Sequence, residues 1–221
     1  MSKLKLLDLY CCGGGAGWGY HFAGFEVTGV DIEAQPKYRA GKFIQGDAIE
    51  YLTANYNDFD VIHASPPCQR FSKSAQQWRK DGKDYPDLVE ATRKALIDTG
   101  KPYIIENVEG APLINPILLC GGMFEGLKMY RHRLFESNLE ISAPPHPVHT
   151  HKQAKMGRKP KQGEYIQMVG HFSGVAMAQE TTGLTWLGQY ELAQCIPPQY
   201  TQHLGKQIIE YLSPQKYNQV A

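Results

Sequence analysis

Short apolar runs alternate with glycine turns and helical patterns through the first half of this sequence, and this alternation constrains the fold more than any other feature. The runs LKLLDLY, EVTGVDIE, KFIQGD, FDVIHA and PYIIENVEG have the length and composition of buried strands. Helical patterns in GWGYHFAGF, AIEYLTANY and DLVEATRKALIDTG separate most of them, and the last pattern stops at Gly100. Because such alternation forms βαβ units, we predict an α/β fold with a mostly parallel sheet and helices on both faces.

Composition and charge argue against several functional classes. The formal net charge is +1, so any binding of a polyanion must depend on a local patch of the surface. None of the five cysteines belongs to a C-x-x-C pair, which disfavours a zinc ribbon and a secreted disulfide framework. No apolar segment approaches membrane-spanning length, and the N-terminus lacks a signal peptide. We therefore expect a soluble protein of the reducing cytoplasm with no membrane partner.

Polar residues follow the predicted strands where each strand ends, and ligands of parallel sheets bind at those carboxyl ends. The turn CCGGGAG brings consecutive glycines to the start of a helix, where the backbone can approach a ligand closely. Asp31 suits a ribose hydroxyl pair, and Asp47 suits an adenine amino group. Together these features predict a nucleoside cofactor. Glycine packing, turn acids and helix caps are the structural alternative.

Cys68 lies just beyond the fourth apolar run, in SPPCQRFS. Its two prolines fix φ and extend the residue before them, so Ser65-Pro66-Pro67 holds the thiol in a defined direction. A structural cysteine is more often buried inside an apolar run. Cys68 is therefore predicted to be a positioned nucleophile, with an inert buried cysteine as the alternative.

The order of these motifs resembles the cytosine carbon-5 methyltransferases, and especially their compact bacteriophage members. The resemblance is carried by the glycine-rich turn together with SPPCQ, ENVEG, YRHRLF and the closing segment AQCIPPQYTQHLG, and it covers nearly the whole chain. It implies a Rossmann-like S-adenosylmethionine-dependent fold in the cytoplasm of a bacterium or phage-infected cell. The implied activity is methyl transfer to cytosine carbon 5 of DNA, with the base flipped out of a duplex.

The resemblance also assigns catalytic roles. Cys68 is expected to add to cytosine carbon 6 as a thiolate favoured by a polar or electropositive site, and Glu106 to bind or protonate ring nitrogen 3. Arg131 and Arg133 are expected to share one face of an extended segment and to grip the flipped base and its phosphate. The structural alternatives are an inert thiol, a strand-end acid and two surface arginines.

Further residues are implied in binding. The cofactor is expected to contact the glycine-rich turn and the strand ends through Asp8, Tyr10, Cys11, Cys12, Gly13, Gly14, Gly15, Asp31, Ile32, Asp47, Ala48, Pro66, Gln194 and Cys195. The substrate is expected to contact Pro67, Gln69, Arg70, Ser72, Asn107, Lys159 and Lys161, with Asn107 also supporting the Cys68 loop. The segment FSKSAQQWRKDGKDY is either a mobile loop that contacts phosphates or a solvated loop; its candidate contacts are Arg70, Lys73, Arg79 and Lys80.

The chain departs from the family pattern at several positions. Family members commonly have glycine in place of Cys12, glutamine in place of Met129 and asparagine in place of Gln194. The sequence divides into a catalytic and cofactor-binding part (1–137), a short insertion (138–185) and a helical return (186–221). The insertion is too short for a target-recognition domain of typical size. Its basic run therefore predicts phosphate contacts with little reading of sequence.

The insertion also contains the histidine-rich run PHPVHTH. His146, His149 and His151 have no evident cysteine or acid partner nearby, so we expect a solvent-exposed loop and no metal. Three functional alternatives remain beside the main one. They are the same chemistry on RNA, single strands or a free nucleotide; a DNA-binding relative without catalysis; and transfer of a different one-carbon group derived from the same cofactor.

Overall fold

The computed structural model describes residues 2–71, 87–155 and 157–218, the last five of these by backbone only. The strands are β1 (Lys5–Leu9), β2 (Glu26–Asp31), β3 (Gly41–Gln45), β4 (Val61–Ala64), β5 (Tyr103–Asn107), β6 (Ile117–Leu119) and β7 (Arg133–Ser137). The helices are α1 (Gly15–Ala23), α2 (Ala48–Asn55), α3 (Val89–Thr99), α4 (Val175–Thr182), α5 (Gln189–Gln194) and α6 (Pro198–Asn218).

The described strands form one sheet in the order β3-β2-β1-β4-β5-β7-β6. Strands β1 to β5 pair in parallel, whereas β7 runs antiparallel to both β5 and β6. The chain leaves β1 toward β2 on one side and returns to β4 on the other, so a topological switch point lies at the carboxyl end of β1. The predicted mostly parallel α/β sheet is confirmed, and its carboxyl edge positions the site.

Both faces of the sheet are buried, as the continuous apolar runs predict. In β1, Leu6 packs into one core cluster with α1 and α6, and Leu7 packs into a second cluster with α2 and α3. Neighbouring residues of a strand point to opposite faces, and in β5 Ile104 and Ile105 divide in the same way. Helices therefore cover both faces.

The insertion has little regular structure before α4, apart from an isolated bridge between Gln153 and Tyr165. It is nevertheless packed, because Ile166, Met168 and Phe172 are buried in the same core cluster as the β1 and β5 side chains. Burial of these apolar side chains stabilises the irregular backbone without a sheet or bundle of its own.

The last helix, α6, packs along α1. The Thr201 hydroxyl donates to the Ala16 carbonyl across 2.8 Å, and a Cβ at Gly19 would overlap the Pro198 carbonyl and Thr201 hydroxyl oxygens. The absence of a side chain at Gly19 therefore permits this close approach. Among the described helices, none combines the length and apolar character needed to cross a bilayer.

The expectation that the insertion histidines lack a cysteine partner is wrong. Cys120, the residue after β6, has its Sγ 3.2 Å from His149 Nε2. The two residues are distant in sequence, and the chain after β7 brings the histidines back over the end of β6. His151 lies apart from them, stacked on Tyr165 at 4.4 Å between ring centroids.

Candidate active site

A cavity of about 290 Å³ opens at the carboxyl edge of the sheet. Its wall is built from the turn after β1, the end of β2, the loop after β4, the end of β5, the start of β7 and the segment around α5. The sequence-predicted residues that line it are Asp8, Tyr10, Cys11, Cys12, Gly15, Asp31, Ile32, Pro66, Pro67, Cys68, Gln69, Glu106, Arg133, Gln194 and Cys195. One cavity thus unites most of the predicted cofactor and catalytic residues.

The glycine-rich turn is shaped chiefly by its protein neighbours. Gly14 has φ +85°, and a Cβ there would lie 2.8 Å from the Tyr38 ring. A Cβ at Gly15 would lie 2.7 Å from Cys195 Cβ and overlap the Ile196 carbonyl. These two glycines let the closing segment and Tyr38 pack against the turn. The packing alternative raised from the sequence therefore accounts for them, although Gly15 also lines the cavity.

Cys12 occupies a strained backbone conformation in this turn. Its φ is +44°, in the left-handed region where a side chain is disfavoured. The Cys12 amide donates to Asp31 Oδ2 across 2.8 Å, which helps to hold the conformation. Glycine adopts this region without steric cost, and that is the physical reason for the glycine commonly found here in the family.

The two acids predicted to bind the nucleoside part of the cofactor occupy different surroundings. Asp31 is buried at the end of β2, lines the cavity and also accepts the Glu33 amide at Oδ1 across 3.0 Å. Asp47 is exposed and caps α2, with Oδ1 accepting the Ile49 and Glu50 amides across 2.9 Å each. Asp47 is outside the cavity lining, so the helix-cap alternative describes its position.

Asp8 is fully buried beneath the glycine-rich turn and lines the cavity. Neither carboxyl oxygen has an aligned hydrogen-bond partner within the described ranges. Burial raises the pKa of Asp8 to about 8, and the nearby Gly17 amide only partly opposes this shift. An orphaned buried carboxyl beside an open cavity is suited to a polar or cationic ligand group.

The loop that presents Cys68 is held from the neighbouring strand. Asn107, buried at the end of β5, donates from Nδ2 to the Pro66 carbonyl across 3.0 Å. The Phe71 amide donates to the Cys68 carbonyl across 3.0 Å and closes the turn behind the thiol. This hydrogen bond from Asn107 places it where the resemblance expects loop support, and the rigid loop aims the thiol at the cavity.

Glu106 lies beside this thiol, 5% exposed. Arg133 Nε is 3.0 Å from Glu106 Oε1, an ion pair whose angles do not make an aligned hydrogen bond. Burial raises the pKa of Glu106 despite the opposing charges of Arg133 and Arg131 and a contact with Ser65. The carboxyl therefore retains a proton more readily than an exposed glutamate.

The Cys68 thiol is not activated in this state. Burial raises its pKa, and the Glu106 charge raises it further, while Arg133 and Arg131 lower it. The expectation that its surroundings favour the thiolate is therefore wrong for the protein without ligands. Neutralising Glu106 would remove the second cause, so the protonation states of the two groups are linked.

The two arginines do not share one extended face, and that prediction is wrong. Arg131 has φ +31°, so the backbone turns there instead of continuing the strand. Its guanidinium is turned away from the cavity lining and donates to the carbonyls of Met168 and, across 2.7 Å, Ala193. Arg131 thereby ties the insertion to the closing segment, and Arg133 alone of the pair lines the cavity.

The remaining predicted contacts are more dispersed. Gly13 lines a neighbouring cavity of about 420 Å³. Ala48 is buried in the second core cluster, and Lys159 and Lys161 are exposed on the insertion, outside both linings. Arg70 is exposed after the Cys68 loop. Ser72, Lys73, Arg79 and Lys80 lie outside the described residues.

Sequence reasoning missed Tyr190. Its side chain is 74% exposed on α5 and borders both cavities, and Ile32, 65% exposed, lies at the rim of the first. A large exposed aromatic residue at a cavity rim is suited to stack on a planar ligand. Its place four residues before the closing motif was the available signal. Glu33, Ser65 and Ile196 also line the cavity and were not predicted.

Comparison with known proteins identifies the family. Residues 4–113 match the family model for C-5 cytosine-specific DNA methylase. This chain belongs to that family. The matched range runs from β1 to beyond β5 and includes the glycine-rich turn, Cys68 and Glu106. The resemblance predicted from the motifs is confirmed.

Two curated C-5 family relatives share part of the chain. The type II methyltransferase M.AgeI of Thalassovita gelatinovora is 29% identical over 127 residues, which are 48% of this chain and 28% of that protein. The type II methyltransferase M.AquIA of Picosynechococcus sp. is 29% identical over 125 residues, which are 48% of this chain and 49% of that protein. The chain thus covers less than half the length of either relative.

Solved structures show the fold more completely. A protein described as a DNA modification methyltransferase encoded within an Escherichia coli prophage has a TM-score of 0.65 at 13% identity, covering 96% of this chain and 100% of that one. The Schizosaccharomyces pombe Dnmt2 methyltransferase has a TM-score of 0.62 at 13% identity, with coverages of 96% and 99%. At these identities the likeness concerns fold alone, and it confirms the Rossmann-like methyltransferase fold.

Proposed function

We propose that this chain is an S-adenosylmethionine-dependent DNA methyltransferase that acts on carbon 5 of cytosine through a covalent bond to Cys68. The observation that carries the proposal is the meeting of Cys68, Glu106 and Arg133 in one cavity that Asp31 and the glycine-rich turn also line. A nucleophile, a proton-retaining acid and a cation beside a nucleoside-type pocket form the constellation that this reaction requires. Family membership supports the same assignment.

The cavity fits the cofactor in its polar and apolar features. Asp31 is suited to the ribose hydroxyls, and Ile32 and Tyr190 offer exposed apolar surface to a planar ring. Asp8 offers two unpartnered oxygens to the cationic methionine part. Bound S-adenosylmethionine supplies the methyl group that carbon 5 receives.

Cys68 and Glu106 divide the activation of cytosine between them. The Cys68 thiolate forms a bond to carbon 6, and the electrons of the carbon 5–carbon 6 double bond become available at carbon 5. Glu106, with its raised pKa, gives a proton to ring nitrogen 3 and so withdraws electron density from carbon 6. After methylation, carbon 5 loses its proton, the sulfur–carbon bond breaks and the ring is restored.

Both steps place opposite demands on the two side chains. Glu106 must be neutral and Cys68 anionic, and in the unliganded protein each group's charge disfavours the charge of the other. Arg133 lies 3.0 Å from Glu106 and lowers the pKa of Cys68, so it favours the thiolate once the acid is protonated. We therefore expect binding of the base to complete the activation of the thiol.

An adduct assay tests this function. DNA that contains 5-fluorocytosine blocks the final loss from carbon 5, so the wild type should remain bound to it on a denaturing gel when S-adenosylmethionine is present. Cys68→Ala should give no shift. Cys12→Ser, which alters another thiol of the same cavity, should retain it. A cofactor-dependent shift of equal strength in Cys68→Ala would exclude Cys68 as the nucleophile.

Cofactor binding has a separate test. S-adenosylhomocysteine should raise the melting temperature of the wild type by mass action, and Asp31→Ala should reduce that rise. If calorimetry detects neither S-adenosylmethionine nor S-adenosylhomocysteine on the wild type, the glycine-rich turn has only its packing role.

The insertion is proposed to add affinity for DNA phosphates. Lys159 and Lys161 are exposed, whereas the adjacent Arg158 is paired with Glu164 across 2.8 Å. Replacing both lysines by alanine should weaken binding to all DNA sequences equally and lower the salt slope by about two. Lys94→Ala on α3, where the lysine pairs with Asp98, is the matched control. Loss of one specific methylation site instead would indicate direct reading of bases.

A further inference from the structure

Four potential metal ligands converge at the antiparallel end of the sheet. Cys120 directly follows β6, and His132 directly precedes β7. Leu119 and Arg133 are register partners, so Cys120 and His132 extend the same ladder by one residue. His146 and His149 arrive from the insertion. The ligand atoms of all four residues lie within 4.8 Å of one another.

The side-chain atoms already face one another. His132 Nε2 is 3.1 Å from His146 Nε2, and Cys120 Sγ is 3.2 Å from His149 Nε2. With zinc bonds of about 2.0–2.1 Å to nitrogen and about 2.3 Å to sulfur, a tetrahedron separates two nitrogens by roughly 3.3 Å and nitrogen from sulfur by roughly 3.6 Å. The two close pairs are therefore within a few tenths of an ångström of ligand spacing.

The surroundings orient these ligands. His132 Nδ1 lies 3.3 Å from Glu109 Oε2, so a carboxylate stands behind this imidazole and leaves Nε2 for a metal. Metal-bound histidines commonly have such a partner on the second ring nitrogen. His149 is stacked on Tyr130 with ring centroids 3.6 Å apart and planes 9° apart. Both rings are thus held by contacts outside the cluster.

The backbone of the insertion is also anchored at this point. The Tyr130 hydroxyl donates to the His151 carbonyl across 3.1 Å and accepts the His151 amide across 2.8 Å. Pro147 packs on Gly122, where an added Cβ would lie 3.0 Å from its ring. These contacts bring the segment from 146 to 151 down onto Cys120, so the cluster does not depend on chance approach of mobile side chains.

We infer that Cys120 Sγ and the Nε2 atoms of His132, His146 and His149 bind one transition-metal ion of the zinc class. One thiolate and three imidazoles form a ligand set suited to such an ion, and four protein ligands close the coordination shell, which is the pattern of a structural site. The metal ties the insertion to the two strand ends. Since His132 lies between Arg131 and Arg133, the bond to its ring also fixes the backbone that carries both arginines.

Metal content and cobalt spectroscopy test the inference without DNA or cofactor. The protein is prepared with a tag that lacks histidine, equilibrated with Zn²⁺, freed of excess ion and analysed for metal by mass spectrometry. One ion per chain is expected. Replacement by Co²⁺ should give the visible bands of a tetrahedral site and a thiolate-to-cobalt charge-transfer band.

Matched variants assign the ligands. Cys120→Ser should abolish the charge-transfer band, and His149→Gln should weaken the affinity for Zn²⁺ at least tenfold. His151→Gln, in the same histidine run but outside the cluster, should bind as the wild type does. Circular dichroism establishes whether each variant is folded. If a ligand variant does not fold, the cobalt spectrum of the wild type decides.

Two results would overturn the inference. One is a wild type that retains no stoichiometric metal or shows no thiolate band with Co²⁺. The other is a folded Cys120→Ser, His149→Gln double variant that holds the same metal content and affinity as the His151→Gln control. Neither result bears on the adduct assay at Cys68, so the metal site and the methyltransferase function fail independently.

Discussion

Cys68 and Cys120 occupy similar positions in the chain and different chemical surroundings. Each follows a strand of the same sheet, and burial raises the pKa of each thiol. Cys68 lies among charged groups, namely Glu106, Arg133 and Arg131, at the parallel part of the sheet. Cys120 lies among imidazoles at the antiparallel part.

This difference decides what each thiol can do. A carboxyl and guanidinium groups can move a proton and stabilise developing charge, and they have no lone pair suited to share a soft metal ion with sulfur. Imidazole nitrogens supply such lone pairs. A strand-end cysteine is therefore neither a nucleophile nor a ligand by itself, because its partners, brought by other strands, select between the two roles.

Removing the acid beside Cys68 should have the largest effect on this comparison. Glu106→Gln keeps the shape of the side chain and removes its proton, so methyl transfer to DNA should fall by about 100-fold or more. Incorporation of labelled methyl groups measures the rate. Glu109→Gln, which changes the carboxyl near Cys120, should leave far more activity. Equal losses in the two variants would show that Glu106 has no special part in the chemistry.

Asp8 sharpens the comparison as a buried carboxyl without the ion pair that Glu106 has. Its pKa is raised to about 8, so between about pH 4 and pH 8 the folded state keeps a proton that the unfolded state releases. Stability is therefore lost as the pH rises through this window. Asp8→Asn removes the dependence and should gain, relative to wild type, on the order of 3 kcal/mol between pH 5 and pH 8.

Denaturant unfolding of wild type and Asp8→Asn at both pH values measures this change in the free energy of unfolding. Parallel curves for the two proteins would mean that Asp8 is not the group that titrates. The measurement is made without cofactor, because a ligand bound at Asp8 would alter the proton balance.

Alkylation of Cys68 tests the coupling between the two groups at a smaller scale. Because the Glu106 charge raises the pKa of Cys68, the thiol in Glu106→Gln should react with iodoacetamide at lower pH than in the wild type. Peptide mass analysis follows Cys68 and Cys120 in the same sample. The shift should appear at Cys68 only, although the variant has lost methyl transfer. An unchanged pH profile at Cys68 contradicts the coupling.

The smallest effect is expected at the strained turn near the Cys68 cavity. Cys12→Gly removes a side chain from a residue with φ +44° and should raise the free energy of unfolding by about 0.5–1 kcal/mol, since the strain exceeds the entropy that glycine loses. Cys11→Gly is the control, because this buried residue does not have a positive φ and should lose stability. Thermal and denaturant midpoints of the three proteins decide the sign.

Local sequence features predicted much of the site because several of its residues belong to strand ends. The apolar periodicity placed Asp31, Cys68 and Glu106 after successive strands, and parallel pairing then brought those ends to one edge. Asp47 also follows a strand, yet its carboxyl turns to the first amides of α2. Which of two local partners a side chain takes depends on distances that periodicity does not contain.

The sequence by itself determined the α/β class, the strand-end position of Cys68 and the family motifs, because these features repeat or adjoin within a few residues. Only the tertiary structure decided that Arg131 turns from the cavity at φ +31°, that Tyr190 lies at its rim, and that Cys120 meets three histidines. Those contacts join segments far apart in the chain. Their formation depends on strand register, on the path of the insertion and on close packing at single residues such as Gly122.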